Sequence, residues 1–160
     1  MMSLCSKVLK ALEGKTLVTA ESCTGGGIGA ALTAVPGSSR VYKGGVICYT
    51  NWVKEKVLGV DKTLLETEGA VSASVAEAMA LGARQKLAAD VAVSVTGLAG
   101  PGGDEFDNSV GTVFIGYADA NTVQSKKFHF SGDREQVREQ AVQAALRMLL
   151  TQYAGENRYE

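Results

Sequence analysis

The stretch that most constrains this chain is Thr19 to Gly27, which spells TAESCTGGG. A β-rich run, Lys15-Thr16-Leu17-Val18-Thr19-Ala20, leads into Glu21, Ser22, Cys23 and Thr24, then three glycines, after which Ile28-Gly29-Ala30-Ala31-Leu32 begins a helical pattern. The Ser22 hydroxyl is therefore expected at a strand-to-helix turn. Such a turn exposes a side chain at the carboxyl end of a sheet strand, and glycines without Cβ let backbone N–H groups approach a ligand. Two chemistries fit it: an activated serine beside an oxyanion hole, or a cradle for phosphate.

The rest of the chain supplies the layers around that turn. Leu4, Val8, Leu9 and Leu12 predict a helix over Met1 to Leu12, closed by Gly14. A helix from Gly26 to Thr33 ends before the turn cluster Pro36-Gly37-Ser38-Ser39, and a strand follows over Val41 to Thr50. Gly44-Gly45 inside that strand signals close approach of another backbone or a ligand. Short helices are expected over Asn51 to Leu58 and, capped by Asp61, over Lys62 to Thr67. Ser72 or Ser74 caps a longer helix to Leu87, whose small residues imply tight packing. Asp90 to Thr96 predicts a buried strand, Gly97 to Ser109 a Gly/Pro-rich loop, and Val110 to Tyr117 with Thr122 to Phe130 a β-hairpin. Asp133 caps a final amphipathic helix to Tyr153, and the tail Gly155 to Glu160 is expected to fray. Interleaved elements followed by a hairpin predict a three-layer α/β/α domain with a mixed sheet, one domain over residues 1–160.

Charge and cysteines narrow the partners. A net charge of −1 with both signs spread along the chain leaves no basic stripe for nucleic acid or a lipid surface. Three cysteines without Cys/His metal spacing point to a reducing compartment, and neither a metal nor another cofactor is expected. There is no leader pattern at the start and no apolar stretch of membrane-spanning length, so the expectation is a soluble, cytoplasmic protein. The small-residue helix and the long terminal helix suit a homo-oligomer interface without fixing the number of subunits.

Three loops that follow predicted strands concentrate small and polar residues: Glu21 to Gly27, Tyr49 to Lys54, and Thr96 to Gly103. Ligands collect outside the carboxyl ends of strands in open α/β sheets, so these loops are expected to share one pocket. A serine needs a base, and the only histidine, His129, lies in an alternating strand where it is expected to play no catalytic part. That leaves a Ser-Lys or Ser-Tyr-Lys arrangement, with a lysine lowered from its ordinary value near ~10.4. Tyr49 ends a strand and Lys54 sits a helical turn further on, so both can aim at one spot. Lys56 is rotated roughly 200° away from Lys54. Cys23 is a rival nucleophile, but neighbours on an extended stretch point opposite ways, so only one of Ser22 and Cys23 can face the pocket. Glu21 is expected either to orient the turn, as an acid near a helix N-terminus, or to contact substrate. Cys23, Thr24, Gly25 and Gly26 in the turn, with Gly97 and Ala99 in the later loop, are expected to contact substrate. Arg134 and Arg138, one turn apart, suggest a phosphate clamp.

Together TAESCTGGG, PGSS, GGVICYTNWVK followed by LGV, EGAVS, AMALGA, TGLAGPGG, VGTV and SGDREQVR resemble the CinA C-terminal domain family, in order, from Leu4 to Tyr153. Stand-alone members of that family are nicotinamide mononucleotide amidohydrolases. The resemblance implies hydrolysis of the nicotinamide carboxamide to nicotinate mononucleotide and ammonia, with Ser22, Tyr49 and Lys54 as the catalytic residues. It also implies phosphate and ribose contacts at Gly45, Thr96, Gly100, Thr112 and Arg134. The resemblance, and no feature of the sequence by itself, favours a dimer. Larger relatives carry an additional N-terminal domain, for which this chain has no room. The chain departs from the family at Asn108-Ser109, where a lysine-proline pair is common, and at Trp52, where a small or acidic residue is common. In the expected mechanism Ser22 attacks the carboxamide carbon while Tyr49, tuned by Lys54, or Lys54 itself, takes its proton. The oxyanion would be held by backbone N–H groups between Cys23 and Gly26. The rivals are a non-catalytic nucleotide-binding module and an amidase for a related pyridine nucleotide amide.

Overall fold

The computed structural model describes residues 1–155. Its elements run α1 (Met2–Ala11), β1 (Leu17–Glu21), α2 (Gly27–Thr33), β2 (Tyr42–Ile47), α3 (Asn51–Lys56), α4 (Lys62–Glu68), α5 (Ala73–Lys86), β3 (Val91–Gly97), β4 (Thr112–Ala118), β5 (Val123–His129) and α6 (Arg134–Leu149). A wider helical turn, Leu150–Ala154, extends α6. The expected fraying of the tail lies, from residue 156 onward, outside the described residues.

The strands form one five-stranded sheet in the order β2-β1-β3-β4-β5. β1 runs parallel to both neighbours, β2 and β3, because helical crossovers connect them, whereas β4 runs antiparallel to β3, reached by the loop 98–111, and to β5, reached by the tight turn 119–122. The three-layer α/β/α domain with a mixed sheet is therefore the fold. Strand β2 is shorter than the run Val41 to Thr50 suggested. Thr50 leaves the strand because its side chain accepts from Val53 N and caps α3.

Side-chain alternation along β1 divides the interior into two cores. Leu17 packs with α1, α2 and α6 on one face, while Val18 and Ala20 pack with α4 and α5 on the other. The long helix α5 lies very close to the sheet, as its small residues implied: a Cβ on Gly116 of β4 would fall 2.3 Å from Ala76 O. Among the described residues, no helix is long and apolar enough to cross a membrane.

Candidate active site

Strands β2, β1 and β3 are parallel, so their carboxyl ends share one edge of the sheet. The chain leaves β1 towards β2 on one side and later returns as β3 on the other, which opens a crevice at that edge. A cleft of about 890 Å³ occupies it, and Ser22, Tyr49, Lys54, Thr96, Gly100 and Arg134 are among its lining residues. All three glycine- and hydroxyl-rich loops reach it.

The floor is a serine and a lysine. The alternation that sends Glu21 towards α2 sends Ser22 towards α3, whose register brings Lys54 to meet it. Lys54 Nζ lies 3.0 Å from Ser22 Oγ and donates to Cys48 O at 2.7 Å and to Tyr49 O at 3.4 Å. Lys54 is 1% exposed and Ser22 7%. Burial holds the Lys54 ammonium below the usual lysine value. In its neutral form, an amine that spends its two N–H bonds on the two carbonyls presents its lone pair to the serine hydroxyl. Lys56, as its rotation required, stays outside, beside Glu55.

The Tyr49 phenol is not part of that contact. Tyr49 is 59% exposed, and its Oη accepts from Arg134 Nη2 at 3.2 Å. Only its backbone carbonyl touches Lys54. Of the two arrangements the sequence left open, the geometry matches the direct one: the amine meets Ser22, and the phenol stands at the rim. Cys23 has turned the other way, into the core shared with α1, α2 and α6. Burial pushes its thiol up to about 11, leaving it neutral and a poor rival nucleophile.

Several expected substrate contacts are structural. Glu21, 2% exposed, accepts from Thr24 Oγ1 at 2.8 Å, Ile28 N at 2.7 Å and Gly29 N at 3.0 Å. A carboxylate on the first N–H groups of α2 stabilises that helix end, so the Glu21 and Thr24 side chains fasten the turn and turn away from the cleft. Gly25 and Gly26, at φ +58° and +100°, make the left-handed bend and also lie outside the lining. At Gly45 the close approach is protein on protein: a Cβ would sit 2.2 Å from Thr19 Oγ1. Thr112 is buried with its hydroxyl 3.2 Å from Ser109 Oγ, again away from the cleft. His129 is an exposed residue of β5.

The loop after β3 does line the cleft through Gly97, Ala99 and Gly100, as does Thr96, although its hydroxyl is committed to Ala70 O at 2.7 Å. Arg134 Nη1 donates to Gly100 O at 2.6 Å, so the arginine ties this loop to Tyr49. Arg138 donates instead to Cys23 O and Thr24 O, at 3.0 and 3.2 Å. The expected clamp is thus two staples to separate loops. Sequence reasoning missed the opposite wall, which includes Leu65, Val71 and Phe106. A Cβ on Gly69 would lie 2.6 Å from the Phe106 ring, and Asn108 Nδ2 pins the loop to Val71 O at 3.1 Å. Gly69 was the one available signal of that packing.

Comparison with known proteins gives a consistent picture. A family model described as the CinA C-terminal domain matches residues 1–153. A CinA-like protein of Thermosynechococcus vestitus is 55% identical over 121 residues, covering 75% of this chain and 29% of that protein. One from Desulfotalea psychrophila is 51% identical over 137 residues, covering 86% of this chain and 33% of that protein. The chain thus spans about a third of the length of these curated relatives. The crystal structure of a CinA superfamily protein from Klebsiella pneumoniae superposes with a TM-score of 0.93 at 35% identity, covering 96% of this chain and 98% of that one. The competence/damage inducible protein CihA from Agrobacterium tumefaciens gives 0.90 at 39% identity, covering 94% and 93% respectively.

Proposed function

Because the chain belongs to the CinA C-terminal domain family, we propose that it is a serine-dependent amidohydrolase that converts nicotinamide mononucleotide to nicotinate mononucleotide and ammonia. The observation that carries this is the buried Lys54 amine 3.0 Å from the Ser22 hydroxyl, at the floor of a cleft open to a small molecule. A phosphate cradle has no use for an amine shielded from solvent behind a serine, whereas a nucleophile does.

Ser22 Oγ attacks the carboxamide carbon as its proton passes to neutral Lys54. Backbone N–H groups at the start of the turn that follows, those of Cys23 and Thr24, stabilise the tetrahedral oxyanion. Lys54, now charged, returns the proton to the departing nitrogen, ammonia leaves, and water hydrolyses the acyl-enzyme with the same amine as base. Arg134 at the rim offers a cation to the phosphate, and Tyr49 and the Thr96 to Gly100 loop shape the channel between rim and floor.

Ammonia release from nicotinamide mononucleotide tests the assignment. The protein is expected to turn over, and Ser22→Ala to lose about 10⁴-fold or more of kcat while keeping its fold. Full turnover by that variant would end the serine mechanism. Binding without ammonia release by the native chain would end the amidohydrolase.

A further inference from the structure

Arg138 takes no part in the proton transfer proposed above, yet it commits its guanidinium to the nucleophile turn. From the second turn of α6, Nε donates to Cys23 O at 3.0 Å and Nη2 to Thr24 O at 3.2 Å. Two consecutive carbonyls are thereby held towards the α6 layer. A trans peptide is planar with its C=O and N–H antiparallel, so fixing the Cys23 carbonyl towards α6 aims the Thr24 N–H at the opposite face. That is the face Ser22 uses to reach Lys54. Gly25 N closes the turn onto Ser22 O at 3.0 Å, whereas the N–H groups of Cys23 and Thr24 have no hydrogen-bond partner among the described residues.

We infer that Arg138 is a positioning residue for catalysis: by gripping the Cys23 carbonyl it presents the Thr24 N–H, beside that of Cys23, as the oxyanion hole for acyl transfer at Ser22, while its bond to Thr24 O steadies the same turn. The inference rests on the serine amidohydrolase reading. A guanidinium suits the task because its rigid fork bonds two acceptors at a set angle, which a lysine's single ammonium cannot do. Preorganised donors matter because they need no rearrangement as negative charge develops on the carbonyl oxygen.

The test compares Arg138→Lys and Arg138→Met with the native protein in two assays: ammonia release from nicotinamide mononucleotide, and labelling of Ser22 by a fluorophosphonate followed by intact mass. In the second, an Oγ–P bond forms, fluoride leaves, and the serine proton goes to Lys54. The phosphoryl oxygen occupies the oxyanion position. Both kcat and the labelling rate are expected to fall roughly 10- to 100-fold, short of the about 100- to 1000-fold that follows outright loss of a donor. KM should stay within about threefold and the apparent pKa of the rising pH limb should not move, because the Ser22–Lys54 pair is untouched. Rates within twofold of native in the folded Lys variant would overturn the inference. So would a raised KM at native kcat, which would mark Arg138 as a substrate contact, and so would a native Ser22 that resists the probe. Native labelling at Ser22 without nucleotide hydrolysis would defeat the substrate assignment and leave the labelling comparison to decide on Arg138.

Discussion

The floor and the rim of the cleft are built on opposite terms. At the floor Ser22 and Lys54 are shielded from solvent, and among the described residues no buried side-chain nitrogen or oxygen lacks a hydrogen-bond partner. At the rim Tyr49 and Phe106 expose their rings to water, and Arg134 bridges Gly100 and Tyr49 from an exposed position. The difference follows from what each must do. Making a lysine a better base requires that its charged form be penalised, and at Lys54 burial does this. Holding a soluble nucleotide requires reach and adaptability, which exposed side chains retain. Changes at the floor should therefore act on kcat and its pH dependence, and changes at the rim mainly on KM.

The largest break in that contrast comes from Lys54→Met, which removes the base and should cost about 10²- to 10⁴-fold in kcat for ammonia release. Stability gives an independent check. Lys54 has a lowered pKa in the folded state, so between that value and the ordinary ~10.4 the unfolded chain binds the extra proton. The Lys54 contribution to stability should then rise with pH across that window and fall as pH drops through it. Buried Cys23, Cys48 and Tyr117, raised in the folded state, contribute with the opposite sign, so the check is the native-minus-Met difference in slope, which should be positive in urea unfolding at several pH values.

A change just behind the floor sharpens the comparison. Glu21→Ala leaves the Ile28 and Gly29 N–H groups without their acceptor, and the expected loss is at least about 1–3 kcal/mol of stability in urea unfolding. KM for the nucleotide should change little in protein that remains folded. A tenfold rise in KM with native stability would instead return Glu21 to the substrate.

Local signals carried most of the fold. Asp61, Ser72 and Asp133 cap the helices they were expected to cap, because an N-cap is decided within four residues. Ser22 and Lys54 were legible for the same reason, since turn position and helical register set where each points. The direction of the Tyr49 phenol was not, because its partner Arg134 lies 85 residues away in sequence. Glu21 and Gly45 looked like ligand contacts because a sequence shows that a carboxylate needs donors, or that a glycine admits a close neighbour, without showing whether that neighbour is substrate or protein. Here it is the start of α2 in one case and Thr19 in the other. The wall with Leu65, Val71 and Phe106 depends on packing between distant loops, and the only local trace of it is Gly69, which makes room for the Phe106 ring.

The smallest expected effect, at the rim, is also the most direct test of whether the amine acts on the serine without help. In the pH profile of kcat/KM for Tyr49→Phe beside the native protein, both should rise to a plateau with the same apparent pKa, below ~10.4, and rates should differ less than about tenfold. A Phe variant that loses the rising limb, or falls as far as Lys54→Met, would make the phenol the base and contradict the account.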